Sequence, residues 1–131
     1  MTKDASAKDP GTQFREILEK VARAVDGVRS LIVGDPDGLP VASLFPEAEA
    51  KTATAMASMI LLAGQTAAEN MELPELKDVL IEGDGWKLVV ISIGDGFTLL
   101  GQFDGNVNLG LVKFYAKGLR MALQELIDEL R

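Results

Sequence analysis

The side chains that most often do chemistry near neutral pH are missing from this chain, which has no histidine and no cysteine. Their absence removes Cys–His and Ser–His–Asp arrangements, zinc sites of the Cys/His type, thiolate chemistry, disulfides and the usual neutral-pH proton shuttle. Carboxylates remain, 20 of them against 13 Lys and Arg, for a net charge of −7. Paired carboxylates can do acid–base work. Here they fall mainly on turns and on the wet faces of helices, which is the pattern of a solvated surface. Asp35 and Asp37 stand beside Gly38 as they would in a calcium loop, but the regular acid spacing and terminal Glu of an EF-hand are missing. Turn chemistry accounts for Asp35, Asp84, Asp95 and Asp104 without a ligand. No Gly-x-x-x-x-Gly-Lys-[Ser/Thr] loop occurs, and Gly94-Asp95-Gly96 lies between strands, not ahead of a helix. The chain is therefore expected not to be an enzyme, and to use neither metal nor cofactor. Its acidity also argues against nucleic acid and against anionic membrane surfaces as partners.

The elements that would position any other kind of site belong to one domain. The chain is 131 residues long and 47% hydrophobic, enough for a core without staples. Met1 to Gly11 has no apolar segment of the signal-peptide kind. The apolar runs Met59-Ile60-Leu61-Leu62-Ala63 and Leu88-Val89-Val90-Ile91 are far shorter than the roughly 20 residues a spanning helix needs. A soluble, cytoplasmic protein is expected, with residues 1–11 a flexible lead ending in the breaker pair Pro10-Gly11 and residues 12–131 a single domain.

Thr12 is the expected cap of a first helix running to about Val25, with Phe14, Ile17, Leu18, Val21 and Val25 on one face and Gly27 ending it. Two short strands follow, Val28 to Val33 and Leu39 to Leu44, joined by the tight loop Gly34-Asp35-Pro36-Asp37-Gly38. Pro40 lacks an amide donor, which puts the second strand at or near a sheet edge. After Pro46 a long helix is expected over roughly Glu47 to Met71. Its core face is read as Ala53, Met56, Ala57, Ile60, Gly64, Ala67 and Met71, and its wet side as Lys51, Thr54, Ser58, Gln65 and Glu69. Ala55, Met59, Leu62 and Thr66 form a further strip, so the helix is more apolar than packing on one sheet requires. That strip is either a dimer or partner surface, or scattered apolar residues and an internal contact.

Three strands come next, Asp78 to Glu82, Trp86 to Ile93 and Phe97 to Phe103, linked by Gly83-Asp84-Gly85 and Gly94-Asp95-Gly96. The last two are apolar on both faces and so need cover on both sides. Asn108 is the expected N-cap of a final helix with a buried stripe of Val112, Tyr115, Leu119, Ala122, Leu123, Leu126 and Leu130. Trp86 and Tyr115 are read as packing residues, and Phe114 with Met121 as a short second strip. Tight hairpins imply mainly antiparallel pairing. The expected fold is an α/β (α+β) three-layer sandwich, a five-stranded sheet between helices in the order α-β-β-α-β-β-β-α.

That order, together with Gly27-Val28-Arg29-Ser30-Leu31-Ile32-Val33 running into Asp37-Gly38-Leu39-Pro40-Val41-Ala42, the Ala-rich Thr54-Ala55-Met56-Ala57-Ser58-Met59, and Phe103-Asp104-Gly105-Asn106-Val107-Asn108-Leu109-Gly110-Leu111-Val112, resembles the Roadblock family of dynein light chains and GTPase regulators. The likeness runs from about residue 12 to 131 and lies in the order and spacing of turns and helix faces. It implies a homodimer, or a heterodimer with a similar chain, joined edge to edge through the third strand, with Val79, Leu80 and Ile81 at the junction. It also implies that the second helices lie side by side as a platform for a small Ras-like GTPase, using Ala55, Met59, Leu62 and Thr66. Some bacterial members stimulate GTP hydrolysis by such a partner, and others are scaffolds. Any nucleotide would then belong to the partner. The second helix has Lys51 but no Arg, so a member of this kind would order the partner's own residues and not insert an arginine finger. The alternative is a small-molecule sensory domain with a cavity between sheet and helix, for which Ser92 and Gln102 are the inward polar candidates.

Overall fold

A computed structural model describes residues 9–44 and 49–129. They form α1 (Pro10–Ala24), β1 (Val28–Gly34), β2 (Pro40–Leu44), α2 (Ala50–Asn70), β3 (Asp78–Gly83), β4 (Trp86–Gly94), β5 (Phe97–Asp104) and α3 (Leu109–Glu129). The strands make one sheet in the order β2-β1-β5-β4-β3, with every neighbouring pair antiparallel. Helices α1 and α3 cover one face and α2 covers the other. This is the α+β sandwich that the residue pattern predicts.

The first helix starts earlier than expected. Asp9, not Thr12, is the cap, and its carboxylate accepts the Thr12 amide at 2.8 Å. Pro10, read from the sequence as a breaker, is the first helical residue, where its fixed φ and missing N–H fit without loss. The expected lead therefore shortens, and residues 1–8 of it lie outside the described residues. Phe14, Leu18 and Val21 are buried as the periodicity requires.

In the β1–β2 loop the Asp35 carboxylate accepts the amides of Asp37 at 2.9 Å and Leu39 at 3.0 Å, so turn chemistry does account for it. Asp104 opens the turn after β5, its carbonyl accepting the Val107 amide at 3.1 Å, and its carboxylate also accepts from Arg29 Nε at 2.5 Å. β2 is an outer strand, in keeping with Pro40. Trp86 is half-exposed and folds over Gly83 instead of entering the core.

The two faces of the sheet are unequal. Phe14, Leu18, Leu31, Phe103, Leu119 and Leu123 anchor a large core beneath α1 and α3. Beneath α2 the buried apolar cluster among the described residues is small: Ile32, Ala50, Ala57, Val90 and Leu100. Asn108 caps α3 as expected, its side-chain oxygen accepting the Leu111 amide at 3.1 Å. Val112, Leu119 and Leu123 of the expected stripe are buried, while Leu130 lies outside the described residues.

At the other end of α2 the Leu73 amide donates to the Ala68 carbonyl at 2.8 Å and the Glu72 amide to Glu69 at 3.1 Å. This is a Schellman closure, with Glu72 in the left-handed region at φ 57° where glycine is favoured. Glu72→Gly is expected to raise the unfolding free energy by about 1 kcal/mol, read by denaturant titration. No gain would mean that the left-handed turn is not what limits this helix end.

Candidate protein-interaction surface

α2 carries no charged side chain between Lys51 and Glu69. A helix so lacking in charge is normally enclosed on all sides. This one is not enclosed: it lies across the sheet with one face down and leaves the rest uncovered. Its first turns sit over Gly34 of β1, and Gly64 sits over Val79 of β3.

The downward face is made of small residues: Ala50, Thr54, Ala57 and Ala68 are buried. The helix is therefore rotated relative to the expected core face. Met56, Ala67 and Met71, expected inside, are exposed, and Thr54, expected on the wet side, is fully buried. The physical reason is close approach. Thr54 packs where a Cβ on Gly34 would stand, and its hydroxyl donates to the Ala50 carbonyl, so burial leaves no polar group unpaired. A sheet that draws the helix this near accepts alanines and threonine and turns the methionines outward. Pro46 and Glu47, expected to open the helix, lie outside the described residues.

The strip of Ala55, Met59, Leu62 and Thr66 is exposed along its whole length, with Met59 and Leu62 each 68% accessible. Its spacing of four, three and four residues keeps one seam on a helix, the geometry by which helices pack side by side. Exposed Met56 widens it, a position that the wheel had placed inside.

Among the described residues β3 is the last strand of the sheet, paired with β4 alone. One side of it therefore presents unpaired N–H and C=O groups, a template for another strand. Val79 and Ile81 pair with Val90 and Leu88 and lie half-buried on the α2 face. Leu80 points to the opposite face and is exposed. α2 passes over β3 where Gly64 rests over Val79, with the strip on the opposite, outer side of the helix.

The two polar residues singled out for a ligand cavity do not converge. Gln102 shares a small pocket of about 140 Å³ with Ser30, Ile32, Met56 and Leu88 on one side of α2. Ser92 lies on the other side with Pro36, Ser58 and Thr98 in an open cleft of about 230 Å³. Both are smaller than the roughly 300–1,000 Å³ typical of ligand sites. Arg15 borders an open cleft of about 450 Å³ that reaches Ala50 at the start of α2, and Arg29 lies at the start of β1 beside the end of β5. Arg15 donates to the Ser43 carbonyl at 2.6 Å on the β2 flank, and Arg29 is held by Asp104. Among the described residues no three acidic side chains are grouped to hold a metal ion, and no helix is long and apolar enough to cross a membrane.

Comparison with known proteins adds the family. The model of the Roadblock/LC7 domain matches residues 14–103. The uncharacterized protein MJ0714 of Methanocaldococcus jannaschii is 34% identical over 93 residues, covering 70% of this chain and 78% of the relative. Among solved structures, a Roadblock/LC7 domain from Streptomyces avermitilis superposes with a TM-score of 0.77 at 19% identity, over 86% of this chain and 96% of that one. A structure of MglB with tetrameric arrangement also gives 0.77, at 21% identity over 90% and 93% of the two chains. These last two show a shared fold. With the family model spanning most of the chain, the protein belongs to the Roadblock/LC7 domain family.

Proposed function

We propose that this chain is a homodimeric, non-catalytic scaffold or regulator that binds a small Ras-like GTPase in the cytoplasm. The observation that carries the reading is the uncharged, exposed seam on the outer side of α2, the helix that crosses the outer strand β3. Two copies pair through β3, with Val79, Leu80 and Ile81 at the junction, and so satisfy the unpaired backbone groups. The two α2 helices then lie side by side, and the strip of Ala55, Met59, Leu62 and Thr66 is divided between the helix pair and the partner protein. Membership of the Roadblock/LC7 family supports this, as does the tetrameric arrangement recorded for MglB, which shares the fold.

The chain itself offers no nucleotide-cradling loop, and α2 offers no arginine. Where hydrolysis is accelerated, the work of the platform is to hold the GTPase's own residues in place. The test is calorimetric titration of the chain with a small Ras-like GTPase loaded with a non-hydrolysable GTP analogue or with GDP. Binding with a ratio of one GTPase per dimer or per protomer, and an affinity that depends on the nucleotide, is the expected result. Arg15→Ala and Arg29→Ala should leave any stimulation of hydrolysis in place. Loss of stimulation with binding intact in either variant would overturn the platform mechanism, and failure to bind any member of the class would overturn the function.

A further inference from the structure

The outer surface of α3 lies on the opposite face of the sheet from α2 and is not used by the proposed platform. It carries an apolar ridge, Phe114 and Met121, two turns apart and 61% and 67% exposed. Cations flank it. Lys117 Nζ lies 5.9 Å from the centre of the Phe114 ring. Exposed Arg120 donates to the Ser92 carbonyl at 2.9 Å, and half-exposed Lys113 reaches Asp78 at 3.3 Å. With Lys113 offset by Asp78, Lys117 and Arg120 are the cations that make the stretch from Phe114 to Met121 locally positive in a chain of net charge −7.

The complement to this surface is present on the same molecule. The corner between α2 and β3, Met71-Glu72-Leu73-Pro74-Glu75, is exposed throughout. It offers two apolar side chains, Met71 and Leu73, set among the carboxylates of Glu69, Glu72 and Glu75. The Schellman closure holds that corner in a defined shape, so little ordering is needed when it is covered. Apolar pairs with apolar at the centre, and cations meet carboxylates at the rim.

We propose that the α3 ridge of one molecule seats the Met71–Glu75 corner of a second copy. Arg120 of the ridge and Glu75 of the corner line one cleft, so the two patches adjoin and two copies exchange the contact reciprocally as a pair. It is a joint separate from the β3 edge and does not depend on it. In the proposed dimer each assembly unit carries two ridges and two corners.

The experiment is sedimentation velocity of the full chain over a wide concentration range. It uses two charge-reversed variants, Lys117→Glu with Arg120→Glu on the ridge and Glu72→Lys with Glu75→Lys on the corner. The unmodified chain is expected to show a weight-average mass that rises roughly twofold above its base unit at high concentration, as for a small interface. Each variant alone should stay at the base unit. An equimolar mixture should assemble again, because every joint between the two variants pairs opposite charges. A flat mass for the unmodified chain, assembly of either variant alone to the level of the unmodified chain, or a mixture no heavier than its components would each overturn the proposal. A ridge that leaves the chain at its base unit but binds an acidic peptide of another protein would overturn the second-copy assignment. Met59→Glu with Leu62→Glu separates the two joints: it acts on the base unit, and the concentration-dependent rise should survive it.

Discussion

Gly34→Ala should be the most damaging small substitution on the α2 face of the sheet, lowering the unfolding free energy by about 2–3 kcal/mol. A Cβ at this position would stand 2.0 Å from Thr54 Cγ2 and 3.1 Å from Thr98 Oγ1. Thr54 has no room to yield, because it is fully buried and its hydroxyl is engaged by the Ala50 carbonyl. The helix must lift, and its few buried contacts with the sheet loosen together. Denaturant unfolding of the variant measures the loss. A change of less than about 0.5 kcal/mol would show that α2 is not seated as closely as described. The same close seating is what turns the methionines outward, so the variant also tests why they are exposed.

Met59→Glu combined with Leu62→Glu should weaken self-association by about a hundredfold or more, roughly 3 kcal/mol, because two carboxylates would have to be desolvated in the seam. Both side chains are 68% exposed in the single chain, so the fold itself should lose little. Circular dichroism and unfolding of the isolated variant should match the unmodified protein, while dilution experiments show dissociation at far higher concentration. GTPase binding should fall with it. Unchanged affinity between copies would mean that the strip is ordinary exposed surface.

Element order and strand pairing were legible because each depends on local chemistry. Asp35 in its loop, Pro40 on an outer strand and Asn108 at the head of α3 all act within a few residues of where they sit. The start of α1 was misplaced for a reason of the same kind: Pro10 can stop a helix or begin one, and only Asp9 beside it decides. The phase of α2 was harder. Its apolar residues run around much of the circumference, so periodicity alone could not say which face goes down. That choice is made by Gly34 on a distant strand, which admits Thr54 and leaves Met56 and Met71 outside. The strip of Ala55, Met59, Leu62 and Thr66 stood far enough from the chosen face to be exposed under either phase. The exposure of Leu80 and the left-handed Glu72 depend on sheet order and chain reversal, and no signal in the sequence marks them.

Everything functional here follows from one physical statement: the α2 seam and the β3 edge together present more apolar surface and unpaired backbone than a single copy covers. Light scattering coupled to size exclusion, run on the unmodified chain across concentrations, weighs that statement most directly. A species of at least twice the 14.0 kDa of one chain, persisting on dilution, is the expected result. A single 14.0 kDa species at every concentration would contradict it.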